Sequence, residues 1–365
     1  MTQLLLPTTM VGSYPRPSWF THQLHGRDVL DAFKDRFHHE AFVDAVRTVI
    51  AEQENAGLDL LTDGQMWFDD YSMGIGSFLW YWFERIKGFD PAKLPHPARE
   101  KAQGVDRPML DEAGGVAVIG EIAPGRLRLR ELYDIAQAQT KKPIKCCVGA
   151  GPAQLSTMVH TRGGPYGNYH DVALALTGIF NAEMKSLVAA GAQHIQLEDL
   201  GAWIPNLTGD KDFAWVKDIV NRTVAGVTAN LSWHFCLGNT WGNVAHGFTT
   251  GGYRKILSRY YDVDVKEYVL DFACREMADV DVLKDLPKDR RVAAGVIDVR
   301  SLEIEHPEEV AARIRKVLAY VPAERVTLTT DCGMKQLPRY CASNKLRSLA
   351  AGAAIVRREL TGQRS

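Results

Sequence analysis

Eight short apolar runs alternate with amphipathic helical patterns along the chain, and this alternation limits its possible folds more than any other feature. The runs are MVGSY (10–14), LDLLTDG (58–64), PIKCCVGAG (143–151), HIQLEDL (194–200), LSWHFCLG (231–238), EYVLDFA (267–273), RVAAGVIDV (291–299) and VTLTTDCG (326–333). Most of them precede a stretch with apolar residues at helical spacing, most clearly at 171–191, 308–321 and 339–360. Strands that alternate with helices over 365 residues predict an α/β fold, a TIM (β/α)8 barrel with insertions.

A doubly wound open sheet is the main alternative to the barrel. That fold would favour a GxGxxG motif after the first strand, and the sequence has none there. The sequence also shows no internal repeat, low-complexity tract or long linker. We therefore expect a single barrel domain over 1–365, with an aromatic-rich insertion at about 66–115.

The charge and the cysteine content limit the partners and the compartment that we expect. A formal net charge of -1 gives no field that would attract the protein to nucleic acid or to an anionic membrane. The amino-terminal apolar run is short and follows no basic leader, so we expect neither a signal peptide nor a membrane span. The six cysteines form no CxxC pair, which predicts reduced thiols in the cytoplasm.

Polar and reactive residues stand at the carboxyl end of nearly every predicted strand. In a TIM barrel these ends meet at the face that carries the active site. Some of the acids are also explained by turn or capping chemistry, but that explanation does not predict a thiol and a histidine at the same end. The residues are Gly12-Ser13, Asp63-Gly64-Gln65, Cys146-Cys147, Glu198-Asp199, His234 and Cys236, Asp271, Asp298 and Arg300, and Asp331-Cys332-Gly333.

His234 and Cys236 are the strongest candidates for metal ligands in this set. Alternate residues of a strand point the same way, so the two side chains project from one face of the fifth predicted strand. Imidazole and thiolate groups are ligands of zinc, which needs three or four of them. The sixth strand adds Asp271 and the eighth adds Cys332, so the sequence predicts a zinc site at the barrel mouth.

Several stretches of the chain resemble the cobalamin-independent methionine synthase family. The resemblance is to its C-terminal catalytic barrel and to short single-barrel relatives, which include epoxyalkane:coenzyme M transferase. It runs from about residue 8 to the carboxyl terminus and is most specific in the HxC, GVIDVxS and DCGxK motifs. The stretches are VGSYPRP, LTDGQ, AGAQHIQLEDLG, WHFCLGN, VLDFA, AAGVIDVRSLEIEHPEEVAARIRKVLAYVPAERV and TTDCGMKQLPR.

This resemblance implies a set of zinc ligands. His234, Cys236 and Cys332 stand where the family has three of its ligands. Asp271 stands where the family has a glutamate ligand. Aspartate keeps the anionic oxygen but is one methylene shorter, so we expect a looser bond to the metal or a water in that position.

The resemblance also implies a binding site for the substrate thiol. Gly12 and Ser13 match the backbone that cradles the thiol substrate, and Gln65 and Glu198 stand where two acids hold the amino group of homocysteine. Gln65 can accept a hydrogen bond but adds no charge. Arg300 stands where the family has a histidine that acts as an acid, but arginine keeps its proton at neutral pH. The acceptor thiol and the alkyl donor therefore stay open.

Two further residues and one segment are candidate parts of the catalytic machinery. Asp199, His160 or a water molecule would protonate a leaving amine if Arg300 cannot. The aromatic segment 66–89 forms either a lid over a flat donor such as a pterin, or a loop packed on the barrel or on a second copy.

Taken together, the residues and the resemblance predict a zinc-dependent thiol S-methyltransferase. The expected substrates are homocysteine or a related thiol and a donor that resembles 5-methyltetrahydrofolate. The alternatives are a zinc-dependent alkyltransferase on another thiol, such as coenzyme M with an epoxide, and a metal-free ligand-binding barrel. The expected partners are these small molecules, with no nucleic acid and no membrane, and a homo-oligomer is left open.

Overall fold

A closed barrel of parallel strands forms the centre of the protein. A computed structural model describes residues 4–24, 29–68, 76–90, 116–161, 163–205, 212–238 and 251–362. The strands are β1 (Lys87–Asp90), β2 (Val116–Ala123), β3 (Lys145–Gly149), β4 (Val159–His160), β5 (His194–Glu198), β6 (Asn230–Phe235), β7 (Glu267–Asp271), β8 (Arg291–Ile297) and β9 (Val326–Thr330). The α-helices are α1 (Ser18–Leu24), α2 (Arg36–Ala56), α3 (Gly76–Phe83), α4 (Leu129–Gln137), α5 (Pro152–Ser156), α6 (Tyr169–Ala189), α7 (Ala214–Val224), α8 (Pro307–Leu318) and α9 (Arg339–Thr361).

Six parallel strands make one sheet in the order β3-β5-β6-β7-β8-β9, and two short segments close it into a barrel. Thr8 bridges to Leu328 in β9, and Leu61 bridges to Ile144 next to β3. The backbone N–H of Leu60 donates to Thr8 O at 3.0 Å, which joins the two segments to each other. Seven of the apolar runs therefore supply barrel strands in chain order, the residues just before the remaining run supply the first strand, and the predicted TIM barrel is confirmed.

The first strand is shorter and begins earlier than the predicted run at 10–14. Its bridge to the last strand is at Thr8, whose N–H donates to the Asp59 carboxylate at 2.9 Å instead of to a neighbouring strand. Two residues after Thr9, the N–H of Val11 donates to the Thr330 hydroxyl at 3.1 Å. Side chains thus replace backbone partners on this strand, which the apolar pattern alone does not reveal.

The barrel interior is largely polar, with a small separate apolar cluster, whereas the outside of the sheet carries the main core. Along β6, Leu231, Trp233 and Phe235 join the core that lies between the sheet and the helices. The alternate residues Ser232 and His234 are buried on the opposite, inner face. The sequence pattern of a parallel strand, apolar on both faces, is broken here by buried polar residues.

Helix α6 shows how the helices cover the barrel. It begins after Asn168, whose side chain accepts the N–H of Asp171 as an N-cap. By length and composition it is apolar enough to cross a membrane. Its residues Leu176 and Phe180 are buried, and the Phe180 ring stacks on Trp82 of α3 at 4.4 Å. Helix α6 is therefore a core helix of this fold.

The described part of the aromatic segment 66–89 packs on the barrel. Trp80, Tyr81, Trp82 and Phe83 are all buried, and the Tyr81 ring lies 4.4 Å from Trp67. This arrangement favours the packed loop over the lid. The rest of the predicted insertion, 69–75 and 91–115, lies outside the described residues.

Candidate metal and substrate site

His234, Cys236 and Cys332 lie together at the carboxyl end of the barrel strands. One ligand atom from each lies within 4.8 Å of the other two, and the two sulfur atoms are 3.6 Å apart. We call these three residues the metal cluster. It brings one imidazole and two thiols from distant parts of the chain to one point, which is the donor set that zinc prefers.

Backbone hydrogen bonds hold the turn that carries Cys332. The N–H of Asp331 donates to Ile297 O at 3.0 Å, and the hydroxyl of Thr330 donates to Cys332 O at 2.8 Å. The N–H of Met334 donates to Ser13 O at 2.7 Å. These bonds tie the turn after the last strand to the first strand and so place the Cys332 thiol.

The ring of His234 is oriented by two oxygen atoms. Its Nε2 lies 2.9 Å from Asp271 Oδ1 and 3.2 Å from the backbone O of Asp331. A carbonyl oxygen only accepts, so Nε2 carries the hydrogen and Nδ1 holds the lone pair of the neutral ring. Burial alone would lower the pKa of His234, but the charges of Asp271 and Cys236 outweigh it and raise the pKa to about 9.

Asp271 contacts the metal cluster through His234. Its Oδ2 accepts the N–H of Leu237 at 2.9 Å, and its Oδ1 faces the imidazole. Among the described residues it is not part of the three-residue group of mutually close ligand atoms. A carboxylate that supports the ring of a ligating histidine is a common outer partner of metal sites. Direct ligation by Asp271 stays a prediction.

Asp331 has a structural role that the sequence reasoning missed. Its buried carboxylate accepts the N–H groups of Ala273 at 3.0 Å and Cys274 at 2.5 Å. A Cβ at Gly295 would lie 2.2 Å from this carboxylate, so only glycine leaves room for it. Gly295 lies in the AAGVIDV stretch and Asp331 in the TTDCG stretch. That the glycine makes room for the carboxylate becomes visible only once β8 and β9 are paired.

Gln65 and Glu198 form a second, buried group beside the metal cluster, which we call the acceptor pair. Gln65 Nε2 donates to Glu198 Oε2 at 3.0 Å. In the sheet register Glu198 stands opposite His234, which places the two groups next to each other. A Cβ at Gly12 would lie 2.8 Å from Oε1 of both residues, so glycine lets the backbone approach them closely.

Ser13 links the first strand to the turn after the last one. A Cβ at Gly333 would lie 2.1 Å from the Ser13 hydroxyl oxygen, so this side chain lies against Gly333, next to Cys332. The Gly12-Ser13 backbone thus reaches from the acceptor pair to the metal cluster. The structure therefore brings together the residues predicted to bind metal and thiol.

The predicted proton donors Asp199 and His160 do not join the two groups. Asp199 is buried and accepts the N–H groups of Ala153, Gln154 and Gly201 at 3.3, 3.0 and 2.7 Å. Burial raises its pKa to about 6, against the effect of these hydrogen bonds. His160 is exposed in β4, which belongs to the separate three-stranded sheet β1-β2-β4.

Arg300 lies near the metal cluster but is directed at backbone and acid groups. It donates to Cys274 O and its Nε lies 3.4 Å from Asp298 Oδ1. Its charge also acts to lower the pKa of Asp271, which burial raises. The guanidinium thus supports the turn after β7 and the acid next to His234.

Comparison with known proteins gives consistent matches over nearly the whole chain. The model of the family described as cobalamin-independent synthase, catalytic domain, matches residues 112–354. A methionine synthase of Saccharolobus solfataricus is 30% identical over 357 residues, which cover 98% of this chain and 96% of that protein. A methionine synthase of Thermococcus kodakarensis is 31% identical over 358 residues, with 98% and 95% covered.

Solved structures give the same picture. The B12-independent methionine synthase of Shewanella sp. W3-18-1, in complex with selenomethionine, aligns with a TM-score of 0.79 and 25% identity over 98% of this chain and 100% of that one. A methyltransferase of Methanosarcina mazei aligns with a TM-score of 0.59 at 14% identity over 97% and 95%, and this likeness concerns the fold alone. The segment matched by the family model, 112–354, includes Glu198 and the three residues of the metal cluster, whereas Gln65 precedes it.

Proposed function

The chain belongs to the cobalamin-independent methionine synthase family, and from this membership we propose that it is a zinc-dependent thiol S-methyltransferase. It would transfer a methyl group from a donor that resembles 5-methyltetrahydrofolate to homocysteine or a related thiol. The observation that carries this proposal is the metal cluster at the catalytic end of the barrel.

The residues of the metal cluster suit zinc in chemistry and in spacing. Two thiols 3.6 Å apart and one imidazole give soft and intermediate donors, which select zinc over magnesium or calcium. We propose that His234, Cys236 and Cys332 hold the ion and that Asp271 and the backbone of Asp331 orient the imidazole. The chemistry supplied by bound zinc is Lewis acidity, which keeps a substrate thiol in its thiolate form at neutral pH.

We further propose that the acceptor pair binds the amino group of the substrate. The Shewanella relative was solved with selenomethionine, an amino acid that carries its selenium two carbons from the α-carbon. Glu198 would supply the charge for an ammonium group, and Gln65 would supply a further acceptor. The close Gly12-Ser13 backbone would hold the substrate between the two groups.

The burial of the site would exclude water from the reaction. Glu198, His234 and Asp271 are all buried, so a bound thiol would react in a largely dry environment. We assign the proton for the leaving nitrogen to water. The guanidinium of Arg300 binds Cys274 O and Asp298, and the carboxylate of Asp199 is held by backbone N–H groups.

The test combines metal analysis with an activity assay on the purified full chain. We expect one bound zinc per chain and methionine formation from homocysteine and 5-methyltetrahydrofolate, lost with a chelator and restored by zinc. Full activity after complete removal of the metal would refute the zinc requirement. A zinc-loaded protein that makes no methionine but alkylates coenzyme M with an epoxide would instead establish the alternative alkyltransferase.

A further inference from the structure

A chain of buried hydrogen bonds runs through the barrel behind the acceptor pair. It begins at Lys145 in β3, passes through Gln196 in β5 and ends at Glu198 and Gln65. All four side chains are buried. Neither Lys145 nor Gln196 was singled out by the sequence reasoning, because each looks like an ordinary residue of an apolar strand.

The first link fixes one end of the chain. Lys145 Nζ lies 2.7 Å from the backbone O of Met10 and 2.6 Å from Gln196 Oε1. The nitrogen of lysine donates to both oxygens, whatever the orientation of the other side chains in the hydrogen-bonded series. The amide oxygen of Gln196 is therefore held toward Lys145.

The second link connects the oriented amide of Gln196 to the carboxylate of Glu198. Gln196 Nε2 lies 2.9 Å from the backbone O of Val11 and 3.0 Å from Glu198 Oε1. Both of these oxygens are acceptors, so the amide cannot flip without placing oxygen against oxygen. Gln196 is therefore a donor to Glu198.

The third link sets what the site presents to a ligand. Gln65 Nε2 donates to Glu198 Oε2, which leaves Gln65 Oε1 beside Gly12. Glu198 Oε1 also lies beside Gly12 and keeps a second lone pair after accepting from Gln196. The two atoms nearest to the space that a Cβ on Gly12 would occupy are therefore both hydrogen-bond acceptors.

We propose that Lys145 and Gln196 are positioning residues that fix the acceptor pair as a receptor for a hydrogen-bond donor. The substrate class that matches is a thiol with a protonated amine, whose N–H groups meet two acceptors. An anionic group in the same place, such as a sulfonate, meets oxygen atoms only. This inference rests on the proposed function, because it assumes that a thiol binds between the metal cluster and Gly12.

The test compares homocysteine with 4-mercaptobutanoate, which is the same molecule without the amine. Dissociation constants are measured by calorimetry on the zinc-loaded protein, for the wild type and for Lys145→Met. We expect the wild type to prefer homocysteine, and Lys145→Met to reduce this preference by roughly tenfold while binding 4-mercaptobutanoate as before. Zinc content should not change, because the hydrogen-bonded series from Lys145 to Gln65 does not include a residue of the metal cluster.

Matched variants separate positioning from a general loss of structure. Lys345 is also buried and donates to Glu305 at 2.8 Å in another part of the fold, so Lys345→Met should keep the preference. Gln196→Met should act like Lys145→Met, and the double variant should lose no more than either alone. If Lys145→Met does not fold, the same comparison of the two thiols is made with Gln196→Met.

The outcomes distinguish this inference from the proposed function. If the wild type prefers homocysteine and both Lys145→Met and Gln196→Met keep the full preference, the positioning role is refuted. If the wild type itself binds both thiols equally, the acceptor pair does not bind an amine, and the amino-thiol substrate of the proposed function fails as well.

Discussion

The metal cluster and the acceptor pair are neighbours that are built in different ways. The metal cluster takes His234 and Cys236 from one strand and Cys332 from the turn after another, and its donor atoms converge on one point. The acceptor pair holds its geometry through a chain of buried polar side chains that crosses the barrel. The geometry of the metal cluster thus depends on its own three residues, whereas the geometry of the acceptor pair depends on the side chains that hydrogen-bond to it.

This difference predicts different responses to mutation. A zinc site with three protein ligands loses a large part of its affinity when one ligand is removed, because no other donor replaces it. A hydrogen-bonded receptor loses a smaller part of its affinity for its ligand, since the hydrogen bonds behind it contribute a limited free energy.

Removal of a thiol from the metal cluster should have the largest effect. For Cys236→Ser we expect zinc affinity to fall by on the order of a hundredfold or more, together with nearly all methyl transfer. Competition with a chromophoric chelator measures the affinity. Cys341→Ser is the matched control, because Cys341 is a buried free cysteine of α9 outside the cluster and should leave zinc binding unchanged. Equal zinc affinity of the two variants would contradict the assigned ligands.

Removal of the charge from the acceptor pair should have an intermediate effect that spares the metal. For Glu198→Gln we expect affinity for homocysteine to fall by roughly 10- to 100-fold, because the ammonium group loses a charged partner. Zinc content should match that of the wild type. Calorimetric titration with homocysteine measures the loss. A variant that loses zinc instead would show that the two groups are not independent.

Asp271 lies in β7, beside His234 and on the side away from β5 and the acceptor pair, so its substitution should affect the metal cluster alone. Asp271→Asn keeps an oxygen that can accept the hydrogen bond of His234 Nε2. If Asp271 only orients the ring, we expect zinc affinity to fall by about tenfold with no change in the ligands seen by zinc-edge X-ray absorption. Loss of one oxygen ligand from the spectrum would instead establish Asp271 as a fourth ligand.

The sequence predicted the metal cluster well because its signal is local. His234 and Cys236 are two residues apart on a strand, and Cys332 follows a strand at the same end of the barrel. Barrel topology then brings them together without further information. The eight-strand order was predictable for the same reason, since each apolar run carries its own pattern.

The acceptor pair was only partly predictable because its signal is distributed. Gln65 and Glu198 were identified through the family resemblance. Gln196 stands two residues before Glu198 on the same strand, but the role of this residue follows only from its contact with Lys145, which is 51 residues away in the chain. The position of Asp199 at a strand end suggested catalysis, which stays a prediction, but it did not reveal that the carboxylate binds backbone N–H groups.

Asp199 provides the smallest expected effect on the site and a test by pH. Burial raises its pKa from an ordinary 3.8 to about 6, so the folded state binds a proton more tightly than the unfolded state. Stability should therefore fall as the pH rises from about 4 to about 6, by on the order of 3 kcal/mol from this group, and then level off. The free energy of unfolding of Asp199→Asn should not show this part of the decrease with rising pH.

Urea unfolding of the wild type and of Asp199→Asn across this pH range isolates the contribution, since the other buried carboxyls are common to both proteins. The affinities for zinc and for homocysteine should be the same in the two proteins, because Asp199 bonds to the backbone of residues 153, 154 and 201 and to neither group of the site. A large fall in the affinity for homocysteine would place Asp199 in the receptor, next to Glu198. The receptor would then extend to both acids of this strand end, and its contrast with the compact metal cluster would be greater.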